Sequence, residues 1–128
     1  MDRPKKVLIV EDETMTAMAL ASRLRDLGCA VIDLTATGEE AVRKAKAERP
    51  DIVFMDVNLP GDMDGIEAAE IIAKSVPASI VFISGYSSKA AHDRAVACSP
   101  AAFLVKPFDF SAIGGILASI GDSFRRTK

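Results

Sequence analysis

Carboxylates follow two of the apolar runs in this sequence. Glu11 and Asp12 come directly after the run Val7–Val10, and Asp56 comes directly after the run Ile52–Met55. If these runs are neighbouring strands of a parallel sheet, the three carboxylates meet at one edge, where they raise each other's pKa unless a cation intervenes. Mg²⁺ suits such a site, because it accepts a few carboxylates and keeps several waters.

A hydroxyl and a lysine follow two later apolar runs. Ser84 comes directly after the run Ser79–Ile83, and Lys106 comes directly after the run Ala102–Val105. The lysine offers a compact positive charge with three donors, and the serine offers a hydroxyl. Two further carboxylates, a metal ion, a lysine and a hydroxyl gathered around Asp56 would stabilise a phosphoryl group during its transfer.

Five short apolar runs, rich in β-branched and aromatic residues, alternate with segments of helical periodicity. The runs cover residues 7–10, 30–34, 52–55, 79–83 and 102–105. Because most of them lack polar alternation, they predict strands buried on both faces of a parallel sheet. The alternation predicts an α/β fold of the doubly wound, flavodoxin-like (βα)5 type, a three-layer sandwich with strand order 2-1-3-4-5. Ligands of such sheets bind beyond the carboxyl ends of the strands, where the candidate residues stand.

The helical segments differ in the strength of their apolar faces. The segment 113–124 has the strongest face, whereas the fourth segment, "SSKAAHDRAVACSP", carries mostly alanine and can bury little area. Gly28 is expected to end the first helix, after an apolar face that includes Leu27. Gly114 and Gly115 inside the last helix indicate either close packing on the sheet or a contact with a partner or second copy, and both interpretations stay open.

Composition limits the classes of function. A chain of 128 residues with 49% hydrophobic residues is expected to form one domain with its own core. The net charge of -2 gives no reason to expect binding to nucleic acid or to an anionic membrane. Cys29 and Cys98, with the single histidine His92, form no zinc-ligand spacing. A reduced, buried thiol at Cys29, with no signal peptide or apolar span, predicts a cytoplasmic protein.

The sequence resembles the receiver domain of bacterial response regulators in two-component signalling. The residues that carry the resemblance are Glu11 and Asp12 after the first strand, Asp56 in "MDVNLPGDMDG", Ser84, and Lys106 in "FLVKPF". The resemblance covers essentially residues 1–128, with a core of about 5–124. It implies a single receiver domain with no output domain. Such a domain is a phospho-acceptor rather than an enzyme, although it assists its own phosphorylation and dephosphorylation.

The resemblance implies roles for the acidic residues. Asp56 would accept a phosphoryl group from a phosphohistidine of a cognate sensor histidine kinase. The side chains of Asp12 and Asp56 and the backbone carbonyl of Asn58 would bind Mg²⁺, for which Mn²⁺ or Ca²⁺ could substitute. Glu11 would act on the metal through a water molecule.

The resemblance also implies a switch. Lys106 would pair with the phosphoryl group, Ser84 would hydrogen-bond to it, and Phe103 would swing inward and remodel the face formed by helix 4, strand 5 and helix 5. The bond that precedes Pro107 is expected to be cis. The run that ends at Tyr86 partly resembles a receiver subgroup with a Phe-Ala-Thr-Gly-Tyr sequence, which predicts a mobile fourth helix and a gating role for Tyr86.

Partners follow from the same resemblance. The remodelled face would bind a downstream protein target or a histidine phosphotransferase, or form a homodimer, and neither nucleic acid nor a membrane is expected. Two alternatives remain within the family: an interaction module that works without phosphorylation, and a phosphorelay or phosphate-sink receiver. His92 is expected to be an exposed surface residue rather than a phosphorelay histidine.

Rival classes of protein fit the residues less well. A haloacid-dehalogenase-type phosphatase needs a second aspartate two positions after the first, where this sequence has Asn58. A dinucleotide binder needs a glycine-containing loop after the first strand, and "EDETMT" contains no glycine.

The segment from Asp56 to Gly65 is one residue longer than in the commonest receivers, so behaviour that departs from the family is expected first in this loop.

Overall fold

The computed structural model describes the backbone of residues 3–85 and 89–126 and the side chains of residues 3–85 and 89–121. Its elements are β1 (Lys6–Val10), α1 (Thr14–Asp26), β2 (Ala30–Thr35), α2 (Gly38–Glu48), β3 (Ile52–Asp56), α3 (Gly65–Ser75), β4 (Ser79–Ser84), α4 (Lys89–Ala97), β5 (Ala102–Val105) and α5 (Ser111–Arg126). The strands form one parallel sheet in the order β2-β1-β3-β4-β5. The predicted doubly wound α/β fold and its strand order are therefore confirmed.

Two apolar layers, one on each face of the sheet, form the core. Every residue of β3 is buried, including Asp56 at its end. The edge strands β2 and β5 are less buried, and Leu34 and Val105 are 37% and 64% exposed, because an edge strand has a neighbouring strand on one side only. Burial on both faces is thus confirmed for the central strands and is wrong for the edge strands.

Local capping determines where several helices begin and end. Gly28 follows the C-terminus of α1 with φ = 91°, a left-handed conformation that glycine adopts without strain. Thr37 caps α2, because its side chain accepts a hydrogen bond from the backbone N–H of Glu40. A capping box starts α3, in which the side chains of Asp64 and Glu67 each accept from the other's backbone N–H. This box fixes the end of the loop that leaves β3.

Two expectations about single positions are wrong, those for Leu27 and Cys29. Leu27 is 37% exposed, because α1 ends at Asp26 and Leu27 lies in the turn that follows. Cys29 is a free thiol that is half-buried rather than buried, since it lies where this turn enters the edge strand β2. Of the two interpretations left open for Gly114 and Gly115, the structure gives no support to close packing on the sheet, because a Cβ at either position would meet no atom of the described residues within 4 Å apart from its chain neighbours and the nearby backbone of its own helix.

The helices after β4 differ in how firmly they join the core. Ala95 is the one buried residue of α4, as the alanine-rich sequence of that segment predicts. In α5, Ile113 and Ile120 are buried, and Ile116 and Leu117 pack against the same apolar layer. Neither α5 nor any other described helix is long and apolar enough to cross a membrane.

Asp51, directly before β3, ties the start of the chain to the sheet. Its Oδ2 accepts a hydrogen bond from the backbone N–H of Lys6 at 2.8 Å. Both of its oxygens also accept from the guanidinium of Arg3, at 2.7 and 2.8 Å. The hydrogen bond from Arg3 is the main reason that the pKa of Asp51 lies below its usual value.

We expect Asp51→Asn to lower the free energy of unfolding by about 1–2 kcal/mol near neutral pH, because a hydrogen bond to a charged acceptor is weakened. A carboxyl group whose pKa is depressed by folding stabilises the protein above its unfolded pKa of about 3.9, and this stabilisation is lost as the pH falls through the folded-state pKa. The difference between variant and wild type should therefore shrink near pH 3, about one unit below the unfolded value. Urea denaturation at both pH values measures it, and an equal difference at both would contradict the prediction.

Candidate functional site

The ends of β1 and β3 bring three carboxylates together. The two strands are neighbours, with Val10 opposite Met55, so the residues that follow Val10 reach the end of β3. One carboxylate oxygen from each of Glu11, Asp12 and Asp56 lies within 4.8 Å of the others. Glu11 and Asp56 are buried, whereas Asp12 is exposed. The cluster predicted from the sequence is therefore present at the carboxyl edge of the sheet.

Lys106 reaches this cluster from β5. Its backbone N–H donates to the carbonyl of Ser84 at 2.7 Å, which fixes the residue beside the end of β4. Its Nζ lies 3.2 Å from Oδ2 of Asp56 and 2.9 Å from Oε2 of Glu11. The lysine is thus shared between two carboxylates. Its contact with Glu11 was not predicted, because nothing in the spacing of two residues so far apart in the chain indicates it.

The pKa values of Glu11 and Lys106 depend on burial and on the neighbouring charges. Burial raises the pKa of Glu11 to about 7; the neighbouring Asp56 adds to this effect, while hydrogen bonds from Lys106 and from the backbone of Glu13 oppose it. Burial lowers the pKa of Lys106, but its hydrogen bond to Glu11 and the charge of Asp56 outweigh that effect, so the pKa is raised overall. One ammonium therefore faces several carboxylates, and a further cation would be attracted to the site.

The donor atoms suit Mg²⁺. The cluster offers oxygen ligands only, and Mg²⁺ binds through a few carboxylates while it keeps several waters. Oε2 of Glu11 is buried and, despite its ion-pair contact with Lys106, accepts no hydrogen bond of good geometry from the described residues. That oxygen can accept a hydrogen bond from a water molecule on a metal ion. The residues present therefore fit the ion that the resemblance implies.

The loop after β3 fixes the position of the Asp56 carboxylate. Oδ1 of Asp56 accepts a hydrogen bond from the backbone N–H of Asn58 at 2.9 Å. Gly65 packs so closely on β3 that a Cβ in its place would lie 1.8 Å from the carbonyl oxygen of Asp56, and its N–H donates to the carbonyl of Val57 at 3.1 Å. Only glycine fits at position 65, so the sequence here fixes the position of Asp56.

The other residues implied by the resemblance lie around this centre. Ser84 ends β4 and is partly exposed. Phe103 is half-buried, with its ring centroid 5.9 Å from that of Phe82. The Lys106–Pro107 peptide bond is cis. Tyr86 lies outside the described residues.

Two features beside the site were missed by sequence reasoning. Glu13 is the N-cap residue of α1, but its side chain makes no cap hydrogen bond and lies 3.6 Å from Nζ of Lys106. Next to it lies a cleft of about 560 Å³, which includes Lys106 but none of the three clustered carboxylates. Its wall is largely apolar and includes Met15, 85% exposed, and Phe110. No sequence pattern indicated this cleft, because the exposure of Met15 and Phe110 is visible only in the structure.

The fold and the site define the class of protein. The chain belongs to the response regulator receiver domain family, whose model matches residues 7–118. Receiver domains are signalling domains of two-component systems, so the assignment from sequence is confirmed.

Known relatives agree with this assignment. The chain is similar to the transcriptional regulatory protein PdtaR of Mycobacterium tuberculosis, with 42% identity over 108 residues that cover 84% of this chain and 52% of that protein. It thus spans about half the length of that relative. It is also similar to the chemotaxis protein CheY of Thermotoga maritima, with 37% identity over 110 residues, 85% of this chain and 91% of that protein.

A solved structure matches over nearly the whole chain. The signal receiver domain of a modulated diguanylate cyclase from Desulfovibrio desulfuricans G20 has a TM-score of 0.91 and 32% identity, and the match covers 98% of this chain and 99% of that one. The CheY-like receiver domain protein of Methanospirillum hungatei has a TM-score of 0.87 and 25% identity over 96% of this chain.

Proposed function

We propose that this receiver accepts a phosphoryl group on Asp56 in a reaction that depends on Mg²⁺. The observation that carries the proposal is the position of Asp56. Its carboxylate is buried at the end of β3, lies 3.2 Å from the ammonium of Lys106, and shares a 4.8 Å cluster with Glu11 and Asp12. A carboxylate held beside both a fixed cation and a metal-binding cluster is equipped to receive a charged group.

The proposed reaction is the attack of a carboxylate oxygen of Asp56 on the phosphorus of a phosphohistidine. The P–O bond forms, the P–N bond breaks, and the imidazole of the donor leaves. Lys106, already within reach of Asp56, would neutralise charge on the transferred group. Asp12, Asp56 and the backbone carbonyl of Asn58 would hold Mg²⁺, with Glu11 acting through water, and the ion would supply further positive charge at the phosphoryl oxygens.

The proposed switch uses residues on β4 and β5. A phosphoryl group adds about -1.5 to -2 charges and three strong acceptor oxygens. The hydroxyl of Ser84 is available to donate to one of them, and its movement would make room for the ring of Phe103 to turn inward. The change would alter the face formed by α4, β5 and α5, to which a partner protein would bind. The population shifts only as far as the phosphoryl group favours one arrangement over the other.

The proposed partners follow from this chemistry. A sensor histidine kinase supplies the phosphohistidine, and the remodelled face binds a downstream protein, a histidine phosphotransferase or a second copy of the chain, in a cytoplasmic setting. Tyr86 would gate access to Asp56. Two alternatives remain: a phosphorelay or phosphate-sink receiver, and an interaction module that needs no phosphorylation. The interaction module is the weaker alternative, because Glu11, Asp12, Asp56 and Lys106 lie together and Ser84 ends the strand next to Lys106.

Mass spectrometry of the wild-type protein with acetyl phosphate tests the proposal. We expect the mass of one phosphoryl group to appear when Mg²⁺ is present and to be lost with excess EDTA. Peptide mapping after borohydride reduction should assign the adduct to Asp56. No adduct with Mg²⁺, or an adduct on another residue, would overturn the proposed function.

A further inference from the structure

The helix α4 has few contacts with the core. Ala95 is its one buried residue, and Ala91 and Cys98 pack only partly against the apolar layer. Apolar burial therefore contributes little to its position. Specific side-chain contacts must decide where this helix lies.

One of these contacts joins α4 to β5. The ring of His92 lies over the ring of Phe103, with centroids 5.3 Å apart. Phe103 in turn packs on the buried ring of Phe82, at 5.9 Å. If Phe103 turns inward, as the proposed function requires, the ring on which His92 lies is removed. The part of α4 that carries His92 then loses its support.

A second contact joins α4 to the loop that follows Asp56. Nη1 of Arg94 donates to Oδ2 of Asp64 at 3.2 Å. Oδ1 of the same carboxylate accepts from the backbone N–H of Glu67 at 2.9 Å and so caps α3. The next residue is Gly65, which lies against the carbonyl of Asp56. Asp64 therefore connects α4 to the residues that position the acceptor.

We propose that the Arg94–Asp64 ion pair is a latch that holds α4 in the unphosphorylated arrangement and opposes modification of Asp56. The inference rests on the proposed function. Because Arg94 and His92 lie on the same helix, we expect a shift of α4 away from Phe103 also to separate Arg94 from Asp64. A contact that exists in only one of two states stabilises that state, and the effect is reciprocal between the two sites.

The size of the effect is limited by solvent. The side chains of Arg94 and Asp64 are 48% and 35% exposed. An exposed pair of this kind shifts an equilibrium by up to about five-fold. The direction of the change in anion affinity is more informative than its size. Removal of a positive charge near an anion-binding site weakens anion binding through Coulomb forces, whereas loss of the latch strengthens it.

The test is a titration of the protein with beryllofluoride and Mg²⁺, which mimics the phosphoryl group on an aspartate. We expect Arg94→Met to bind about two- to five-fold more tightly than wild type, and Arg94→Lys, which keeps the charge, to stay closer to wild type. Asp64→Asn should behave like Arg94→Met, because asparagine caps a helix as well as aspartate. The double variant should be no tighter than either single variant.

Lys74→Met is the matched control, since it removes a positive charge from the neighbouring helix α3 without touching the pair, and it should bind no more tightly than wild type. Amide exchange of residues 89–97 should accelerate in Arg94→Met, and in wild type when beryllofluoride is added. Unchanged or weaker binding by Arg94→Met overturns the latch alone. Failure of the wild-type protein to bind overturns the proposed function, and the latch with it.

Discussion

Asp56→Asn is expected to abolish the Mg²⁺-dependent phosphoryl adduct. Asparagine has nearly the same shape, and its Oδ1 can still accept the hydrogen bond that the backbone N–H of Asn58 gives to Asp56. The amide lacks the negatively charged oxygen that attacks phosphorus, and it removes one carboxylate from the metal cluster. Lys106 keeps its contact with Glu11, so the variant should fold. Mass spectrometry with acetyl phosphate and Mg²⁺ measures the effect.

Asp62→Asn is the matched control for this variant. Asp62 lies in the loop that leaves β3, and it is exposed. The substitution Asp62→Asn makes the same chemical change a few residues away from Asp56. Asp51 is unsuitable as a control, because its side chain anchors the start of β1. We expect the control to form the adduct at the wild-type level. An adduct on Asp56→Asn, or its loss in Asp62→Asn, would contradict the assignment of the acceptor.

Gly65→Ala is expected to have the largest effect on stability. A Cβ at this position would lie 1.8 Å from the carbonyl oxygen of Asp56 and 3.1 Å from Cα of Val57. Neither neighbour is a flexible side chain, so β3 and the start of α3 must move apart. We expect the free energy of unfolding to fall by about 3 kcal/mol or more, the upper range for an overpacked site. The fraction that remains folded should bind beryllofluoride more weakly, because the acceptor is displaced.

Gly115→Ala makes the same substitution where the described residues leave space around the Cβ. Gly115 lies inside α5, where alanine is favoured over glycine by about 1 kcal/mol. We expect this variant to be slightly more stable than wild type and to bind beryllofluoride normally. Denaturation curves and beryllofluoride titrations of both variants measure these effects. A Gly65→Ala protein as stable as Gly115→Ala would contradict the close approach of Gly65 to Asp56.

The contrast between Gly65 and Gly115 shows what the sequence alone can and cannot predict. Gly65 is the first residue of α3, and Gly115 lies inside α5 beside Gly114. Neither local sequence reports which element packs against the glycine. Close packing was one of two interpretations for Gly115 and does not occur there, whereas it does occur at Gly65, where no sequence pattern indicated it. Packing distance depends on which element lies opposite, and that is decided by the crossover connections rather than by neighbours in the chain.

Local pattern alone determined the architecture and the location of the site. Continuous apolar runs specify buried parallel strands, alternation with helices specifies the doubly wound order, and strand ends specify the edge where Glu11, Asp12 and Asp56 meet. These features follow from sequence because each depends on hydrophobic period and on chain direction. They needed no knowledge of side-chain contacts.

Tertiary structure alone decided which side chains are partners. Lys106 is shared between Asp56 and Glu11, which is 95 residues away in the chain. Arg94 is paired with Asp64, 30 residues away. Such pairs depend on the register of strands, the placement of helices and the rotamers of long side chains. Sequence periodicity indicates only which face of a helix or strand a residue occupies. The residues of the site were therefore predicted from the sequence, whereas the contacts between them were seen only in the structure.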